Sequence, residues 1–180
     1  MEYIYYKGNQ LTEEVQPLKV LQVYENHEIE IDDKIIEFWK EHNALPSTDL
    51  QFITQRLKEV LFVMLNESDE IVGISSGVPV YYEQIRNHFL YFRLFVRPDY
   101  RGNNQGVSIT MYYATFDLFD KLKEISRQSI IGLLIVYESE HLNKVINYYH
   151  SEKYRNQVFV GWTPNNEQIR ITYFNDLKMF

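Results

Sequence analysis

The stretch from residue 88 to residue 107 constrains the fold of this chain more than any other part of the sequence. Residues 88–96 are apolar and rich in β-forming side chains, and Pro98 ends the strand that they predict. From Gln105 onward, apolar side chains recur at helical spacing, which predicts a long helix over residues 105–126. The stretch therefore predicts a strand that is joined to a long helix by a short turn.

The turn between this strand and this helix is suited to an anion. The first backbone N–H groups of a helix have no intrahelical acceptor, and the helix macrodipole places partial positive charge beside them. Arg101 adds a full positive charge, and Gly106 lets the backbone approach a bound group closely. The sequence thus predicts a cradle for a diphosphate at this turn.

The rest of the chain predicts strands and helices in a mixed order. The predicted elements are a strand (18–25), a helix (32–43), a helix capped by Ser47, Thr48 or Asp49, strands (59–66 and 71–81), a loop (82–87), the strand and helix described above, a strand (129–137), a helix (140–150) and two strands (156–163 and 168–175). Short polar connections predict antiparallel hairpins at 59–81 and at 156–175. The strand before the turn, the helix after it and the next strand form a strand-helix-strand unit. Such a unit predicts a right-handed crossover between parallel strands. A ligand is then expected at the carboxyl edge of these strands.

Two smaller patterns predict local packing. Leu50, Ile53 and Leu57 are spaced to form one buried stripe on the second helix. Gly73 and Gly77 predict a β-bulge or a close approach of the backbone within their strand.

The turn also resembles the signature of a known family. Val96, Pro98, Tyr100, Arg101, Gly102 and Gly106 match the coenzyme A signature of the GNAT superfamily of N-acetyltransferases, in which an apolar strand leads through Val-x-Pro-x-Tyr-Arg-Gly and x-Gly-x-Gly into a helix. Asn104 stands where the family has its middle glycine. The order of elements is similar over essentially the whole chain. The resemblance implies an α/β fold over residues 1–180 as a single domain, with a central mixed and mostly antiparallel sheet of about seven strands flanked by about four helices.

The resemblance implies that acetyl-coenzyme A is the acyl donor, and it assigns residues to that molecule. Backbone groups of Leu94, Phe95 and Val96 are expected to hold the pantetheine arm. The diphosphate is expected on Arg101, Gly102, Asn103, Asn104, Gln105, Gly106 and Val107. Asn143 resembles an asparagine that helps to hold the pantetheine amide in some ribosomal-protein acetyltransferases of the superfamily.

Two residues take the family's catalytic places by resemblance. Residues 148–154 resemble the Leu-Tyr-Glu-Lys-Leu-Gly-Phe ending of the fourth helix, where Tyr149 takes the place of the tyrosine that protonates the coenzyme A thiolate. Glu138 resembles the glutamate that serves as the base, usually through water. Each residue also has a plain structural alternative. Tyr149 is then an aromatic residue packed on the core, and Glu138 is a solvated charge at the start of a helix.

The strand before the turn carries polar residues that can face an acceptor. Alternation places Arg93 on the face of Phe89 and Tyr91, where a buried guanidinium needs an acidic partner, either internal or the carboxylate of an acceptor. His88 and Glu83 flank this strand. The histidines of the chain show no recognisable metal-ligand spacing, so no metal ion is expected.

Composition narrows the classes of partner and compartment. The chain contains no cysteine, which excludes disulfides, thiolate metal sites and a cysteine nucleophile. A formal net charge of −7 disfavours nucleic acid and anionic membranes as partners. The N-terminus lacks the pattern of a secretion signal, and no window is apolar enough for a membrane span, so a soluble cytoplasmic protein is expected.

These features together predict an acyltransferase that moves an acetyl group from acetyl-coenzyme A directly to an amine. The acceptor is expected to be a small molecule or a peptide, and a homodimer formed through the final hairpin stays open. Two alternatives also stay open. One is a catalytically silent protein that binds coenzyme A as a sensor or interaction protein, and the other is an acyltransferase for longer acyl chains, which the aromatic content of 16% can accommodate.

Overall fold

Strands and helices follow one another largely in the order that the sequence predicts. The computed structural model describes residues 3–4, 18–102, 106–122, 130–139, 142, 144 and 149–174. Within these residues the strands are β1 (Tyr3–Ile4), β2 (Lys19–Gln22), β3 (Val60–Leu65), β4 (Ile71–Tyr82), β5 (Asn87–Val96), β6 (Ile130–Tyr137), β7 (His150–Ser151), β8 (Gln157–Trp162) and β9 (Gln168–Tyr173). The α-helices are α1 (Ile29–Glu41), α2 (Leu50–Leu57) and α3 (Val107–Leu122). The predicted α/β fold, with a mixed and mostly antiparallel sheet, is confirmed.

Packing divides the chain into two compact units. Unit 1 comprises Met1–Ser76 and Leu94–Thr115, and unit 2 comprises Gly77–Arg93 and Phe116–Phe180. The elements β4, β5 and α3 each contribute residues to both units. The single-domain organisation expected from the length of the chain stays a prediction.

Unit 1 is an antiparallel sheet with two helices packed on it. β1 pairs with β2, β2 pairs with β3, and β3 pairs with β4, all in the antiparallel sense. The hairpin predicted at 59–81 is therefore confirmed. The register between β3 and β4 shifts where Met64 faces Gly73 and Leu65 faces Ile71, so the irregularity predicted beside Gly73 is present. The core of this unit consists of apolar residues from β2, α1, β3 and β4.

The two helices of unit 1 follow their sequence signals with two differences. α1 begins earlier than predicted, because Ile31 joins the buried stripe of Ile35, Phe38 and Trp39. α2 is capped by Asp49, whose carboxylate accepts a hydrogen bond from the Phe52 amide. The predicted buried stripe of α2 is wrong at its start, since Leu50 is 76% exposed while Ile53 is buried.

Unit 2 contains the parallel pair of strands. β5 pairs with β6 in the parallel sense, β6 pairs with β9 antiparallel, and β8 pairs antiparallel with both β9 and β7. This confirms the parallel pair and the final hairpin that the sequence predicts. β6 is apolar along its length and largely buried, as a strand covered on both faces should be. The predicted loop at 82–87 is shorter than expected, because β4 extends to Tyr82 and β5 begins at Asn87.

Some predicted elements differ from the structure or lie outside its described residues. The sequence predicts no strand at the positions of β1 and β7, since each of these strands has only two residues. The helix predicted over 140–150 falls mostly outside the described residues, where Leu142 and Lys144 are helical. Its predicted end is wrong, because Tyr149 is a bend and His150 is already in β7. Among the described helices, none is long and apolar enough to cross a membrane.

Candidate functional site

The turn after β5 is built from unit 1 residues and begins with a tight backbone arrangement. Pro98–Tyr100 forms a single 3₁₀ turn, in which the Tyr100 amide donates to the Arg97 carbonyl at 2.9 Å. The Arg97 amide in turn donates to the Val72 carbonyl of β4 at 2.9 Å. The chain therefore leaves β5 while it is still hydrogen-bonded to the neighbouring strand.

Two glycines give this turn its shape. Gly102 has a φ of +73° and Gly106 a φ of +69°, a region that L side chains rarely adopt. A Cβ on Gly102 would meet no atom of the described residues within 4 Å. Asn103, Asn104 and Gln105 lie between these glycines and outside the described residues. Their predicted contacts with the diphosphate therefore stay predictions.

The helix that follows is anchored at its first residue. Val107 is buried, and its Cγ1 lies 3.1 Å from where a Cβ on Gly73 would be, so this glycine allows α3 to approach β4. The predicted close approach at Gly73 is thus present. The helix ladder begins with the bond from the Thr110 amide to the Gly106 carbonyl at 2.9 Å. The amides ahead of Thr110 are the orphan donors that the N-terminus of every helix presents.

Arg101 is fixed against the end of β5 by two contacts. Its Nε donates to the Val96 carbonyl at 2.7 Å, and its guanidinium lies 5.0 Å from the centre of the Phe95 ring. The Phe95 ring also packs edge-on against Phe38 and stacks with His42 of the α1 end. The turn thus brings Phe95, Val96, Arg101, Gly102, Gly106 and Val107 into one part of unit 1. Leu94, which precedes them on β5, is half-buried.

The two predicted catalytic residues, Glu138 and Tyr149, belong to unit 2. Glu138 follows β6 and is exposed, and the Tyr91 hydroxyl donates to its Oε1 at 3.5 Å. Burial raises the pKa of the Tyr91 phenol, and the negative charge of Glu138 raises it further. Arg93 lies with its guanidinium 5.2 Å from the centre of the Tyr91 ring. The residues at this end of β5 and β6 therefore form a small polar group around Tyr91.

Tyr149 lies in a different setting. It is 79% exposed, its carbonyl accepts a hydrogen bond from the Phe159 amide at 2.8 Å, and its ring packs edge-on against Phe159. The alternative in which Tyr149 is packed on the core is therefore wrong for most of its surface. Asn143, the remaining predicted contact of the pantetheine, lies outside the described residues.

Glu138 and Tyr149 contact opposite faces of the unit 2 strands. The ring partner of Tyr149 is Phe159, which pairs with Arg170 of β9. The hydroxyl partner of Glu138 is Tyr91, which lies in the apolar cluster of Ile169 and Ile171 on the other face. Alternate residues of a strand point to opposite faces, so the structure does not bring these two predicted residues to one point.

A buried polar row beneath Phe159 was missed by the sequence reasoning. Gln157, Gln168, Arg170 and Thr172 are all nearly or fully buried. The Arg170 Nε donates to the Gln168 Oε1 at 3.0 Å, and the Tyr137 hydroxyl donates to the Gln157 Oε1 at 2.9 Å. The available signal was the alternation of polar and apolar residues in 168–173, which is typical of a strand with one solvated face. In the described residues no group of three His, Asp or Glu side chains is placed to hold a metal ion.

Comparisons with known proteins identify the fold. No protein-family model and no curated protein matches the sequence. A GNAT-family acetyltransferase from Listeria monocytogenes has a similar structure, with 18% identity, a TM-score of 0.53, and coverage of 92% of this chain and 99% of that chain. The ribosomal-protein-S5-alanine acetyltransferase from Vibrio fischeri matches with 12% identity, a TM-score of 0.53, and coverage of 99% and 100%.

A third similar structure contains acetyl-CoA. It is a mutant AtaT toxin bound to the C-terminus of the antitoxin AtaR and acetyl-CoA, with 12% identity, a TM-score of 0.53, and coverage of 87% of this chain and 93% of that chain. At these identities the likeness shows the fold. This chain thus has the fold of the GNAT N-acetyltransferases.

Proposed function

We propose that this chain is an N-acyltransferase that transfers an acetyl group from acetyl-coenzyme A to a primary amine. The observation that carries the proposal is the turn after β5, which combines Arg101 fixed on the end of the strand, two glycines with positive φ and the first amides of α3, which have no acceptor within the helix. The sequence of this turn resembles the coenzyme A signature, and the chain has the GNAT fold. Acetyl-CoA in the AtaT complex supports the choice of donor.

The residues of the turn fit the phosphates of such a donor. Among the described residues no atom lies within 4 Å of a Cβ built on Gly102, which leaves room for a diphosphate there, and the amides at the start of α3 are its expected donors. Arg101 adds positive charge from the exposed end of its side chain. The Val96 carbonyl, which already accepts from Arg101, has a second lone pair for an amide of the pantetheine arm.

Direct transfer requires two proton movements. The neutral amine nitrogen attacks the thioester carbonyl carbon, the carbon–sulfur bond breaks, the nitrogen loses a proton, and the sulfur gains one. In our proposal Glu138 takes the proton from the nitrogen through a water molecule, and Tyr149 gives its proton to the thiolate. Because Glu138 and Tyr149 contact opposite faces of the unit 2 strands, each proton transfer is proposed separately and is tested by its own variant.

The proton transfer from Tyr149 is unfavourable without help. A phenol has a pKa of about 10 and a thiol a pKa of about 8.5, so the tyrosinate must be stabilised for the transfer to be efficient. Tyr149 is 79% exposed, which lets water stabilise the tyrosinate and also lets water replace the residue. The placement of Glu138 and Tyr149 on opposite faces favours a second candidate function, a protein that binds coenzyme A without turning it over.

The thiol that the reaction releases gives a direct assay. The chain has no cysteine, so a thiol reagent added to the reaction reports only free coenzyme A. We would measure acetyl-CoA binding by calorimetry and thiol release with a polyamine, a lysine peptide and an amino sugar as acceptors. A long-chain acyl-CoA added as a competitor tests the chain length of the donor.

The variants Tyr149→Phe and Glu138→Gln test the two proposed roles. We expect each to lower kcat by up to about 100-fold, because general acid or base catalysis contributes on that scale. Tyr81→Phe is the matched control, since it removes a hydroxyl from another exposed tyrosine of unit 2. Thiol release with at least one acceptor, lost in the first two variants only, supports the enzyme. Tight binding of acetyl-CoA without release for any acceptor supports the silent binding protein.

A further inference from the structure

The side chain of Arg97 is held by three neighbours in unit 1. Its Nε donates to Asp99 Oδ1 at 2.8 Å, and its Nη1 donates to Glu70 Oε2 at 3.2 Å. Its guanidinium also lies 4.6 Å from the centre of the Tyr100 ring. Only 20% of the Arg97 side chain is exposed, so this arginine is held in place at the start of the turn.

Asn66 connects the same residues to the β3–β4 hairpin. Its Nδ2 donates to Glu70 Oε2 at 2.8 Å and to the Tyr100 hydroxyl at 3.4 Å. Its Oδ1 accepts from the amides of Ser68 and Glu70 at 3.0 and 2.9 Å. Asn66 is 7% exposed, so this amide is a buried and fully used hydrogen-bonding group.

The guanidinium groups of Arg97 and Arg101 therefore differ in how well each can bind an added phosphate. Arg97 has a carboxylate on each side and a ring beneath it. Arg101 contacts a backbone carbonyl and the Phe95 ring, and it is exposed. A phosphate brought to Arg97 would be repelled by Glu70 and Asp99, whereas Arg101 carries no such carboxylate among its described contacts.

We infer that Arg97, Glu70, Asn66 and Tyr100, here called the turn clamp, are positioning residues that fix the Pro98–Gly102 turn for the diphosphate of the acyl donor. The inference rests on the proposed function and adds to it a set of residues that do not contact the donor. Because the β3–β4 hairpin is hydrogen-bonded into the sheet, the clamp ties the turn to a rigid support. Donor binding then avoids the entropic cost of ordering the turn.

The clamp has a consequence that distinguishes it from a general effect on stability. It holds the part of the chain that faces phosphates, so its loss should weaken binding of acetyl-CoA. It should leave S-acetyl-pantetheine, which lacks phosphates, unaffected. A general loss of folded protein would lower turnover of both donors equally.

The test uses Arg97→Gln and Glu70→Gln in the full-length chain. We expect the KM for acetyl-CoA to rise about tenfold in each, the loss expected when one hydrogen bond to a charged group is removed, with kcat within about twofold of wild type. The KM for S-acetyl-pantetheine should not change. The double variant should lose no more than either single variant, because the two side chains act as one unit.

Asp69→Asn is the matched control. It removes the ion pair of Asp69 with Lys19, 3.0 Å in length, from the same hairpin, and it keeps the backbone hydrogen bond from the Asp69 amide to the Asn66 carbonyl. Its KM for both donors should equal that of wild type. Hydrogen exchange in the donor-free protein gives a readout besides activity, and residues 97–102 should exchange faster in the clamp variants than in wild type or in Asp69→Asn.

The outcomes separate the clamp from the proposed function. If wild type turns over acetyl-CoA but the clamp variants keep its KM and its exchange rates, the clamp is refuted and the proposed function stands. If wild type binds acetyl-CoA without turnover, the calorimetric Kd for acetyl-CoA replaces KM, and an unchanged Kd in the clamp variants refutes the clamp. If the KM for both donors rises equally, the clamp does not act on the phosphate end, and the inference is refuted. If wild type binds no acetyl-CoA, the proposed function fails, and the donor role of the clamp fails with it.

Discussion

Replacing Gly106 by valine perturbs the donor turn at one defined point. Gly106 has a φ of +69°, and an added Cβ would meet Ile109 Cγ2 at 3.7 Å and Thr110 Oγ1 at 3.8 Å, both ordinary contacts. The added Cβ is therefore accommodated, and the main effect that we expect from Gly106→Val comes from the backbone conformation. A β-branched residue held in this region costs about 1–3 kcal/mol.

The strain can appear in stability or in donor affinity. If the turn keeps its shape, the whole cost lowers stability, and Tm falls by about 2–4 °C per kcal/mol for a chain of this size. If the turn relaxes, Tm recovers but the amides at the start of α3 rotate away from the phosphates. Each charge-assisted hydrogen bond then lost costs about 1.5–3 kcal/mol, which weakens binding about 10- to 150-fold.

We expect relaxation to dominate, because no atom of the described residues lies within 4 Å of a Cβ built on Gly102 at the other end of the turn. The measurement is calorimetric titration of folded Gly106→Val with acetyl-CoA, alongside thermal unfolding. Asn166→Val is the matched control, since Asn166 has a φ of 60° in the β8–β9 turn and is not a proposed donor contact. It should lower Tm and leave affinity unchanged. Wild-type affinity in a folded Gly106→Val protein would refute our placement of the diphosphate.

Three further predictions concern stability. Asp49→Ala removes the cap of α2 and should cost about 1 kcal/mol, seen as a fall in Tm of about 2–4 °C, and an unchanged Tm would contradict the cap. Gly132→Ala places a Cβ 2.2 Å from a backbone carbonyl oxygen of β9, so it should destabilise the protein by about 3 kcal/mol, and a denaturation midpoint equal to that of wild type would disprove the close packing. Hydrogen bonds from Asn66 and then from Arg97 hold the pKa of Glu70 below its ordinary 4.5, and one from Arg97 holds the pKa of Asp99 below 3.8. The stabilisation that these two ionised carboxylates give is therefore present above their ordinary pKa values, and it is lost as pH falls through their lower pKa values in the folded protein. Between about pH 6 and about pH 3, the Tm of Arg97→Gln should therefore fall less than that of wild type.

The sequence predicted the parts of the fold in which periodicity and burial agree. β6 is an unbroken apolar run, and it is largely buried between β5 and β9. The long helix after the turn has its apolar residues at helical spacing, and Val107 and Met111 are buried as predicted. In these elements the secondary-structure preference of the residues agrees with the burial that the core requires.

The sequence was less informative where tertiary contacts decide. Leu50 has the spacing of a buried residue but is 76% exposed, because it is the first residue of a short helix and Ile53 supplies the buried contact. β7 has two residues and no apolar alternation of its own, and it forms because β8 offers its edge. The resemblance of residues 148–154 to the end of a fourth helix could not show that the chain bends at Tyr149 and is a strand at His150.

The candidate site could be predicted only where one short segment supplies all of its parts. Arg101, Gly102 and Gly106 lie close together in sequence, and their contacts are local to the turn. Asn66 and Glu70 lie about 30 residues before the turn that they support, and nothing in their spacing links them to Tyr100. Arg170 occupies a polar position in an alternating strand, which is typical of a solvated residue, but it is buried. The sequence does not show what covers that face of the strand.

Glycine-selective amide NMR tests the central claim most directly. The chain contains 7 glycines, so a protein labelled only at glycine gives a spectrum of very few peaks, each of which can be assigned by substitution. If the donor diphosphate binds at the turn after β5, titration with acetyl-CoA should shift the amides of Gly102 and Gly106 and leave Gly132 and Gly161 in place. Unmoved peaks for Gly102 and Gly106 at saturating acetyl-CoA would contradict the account.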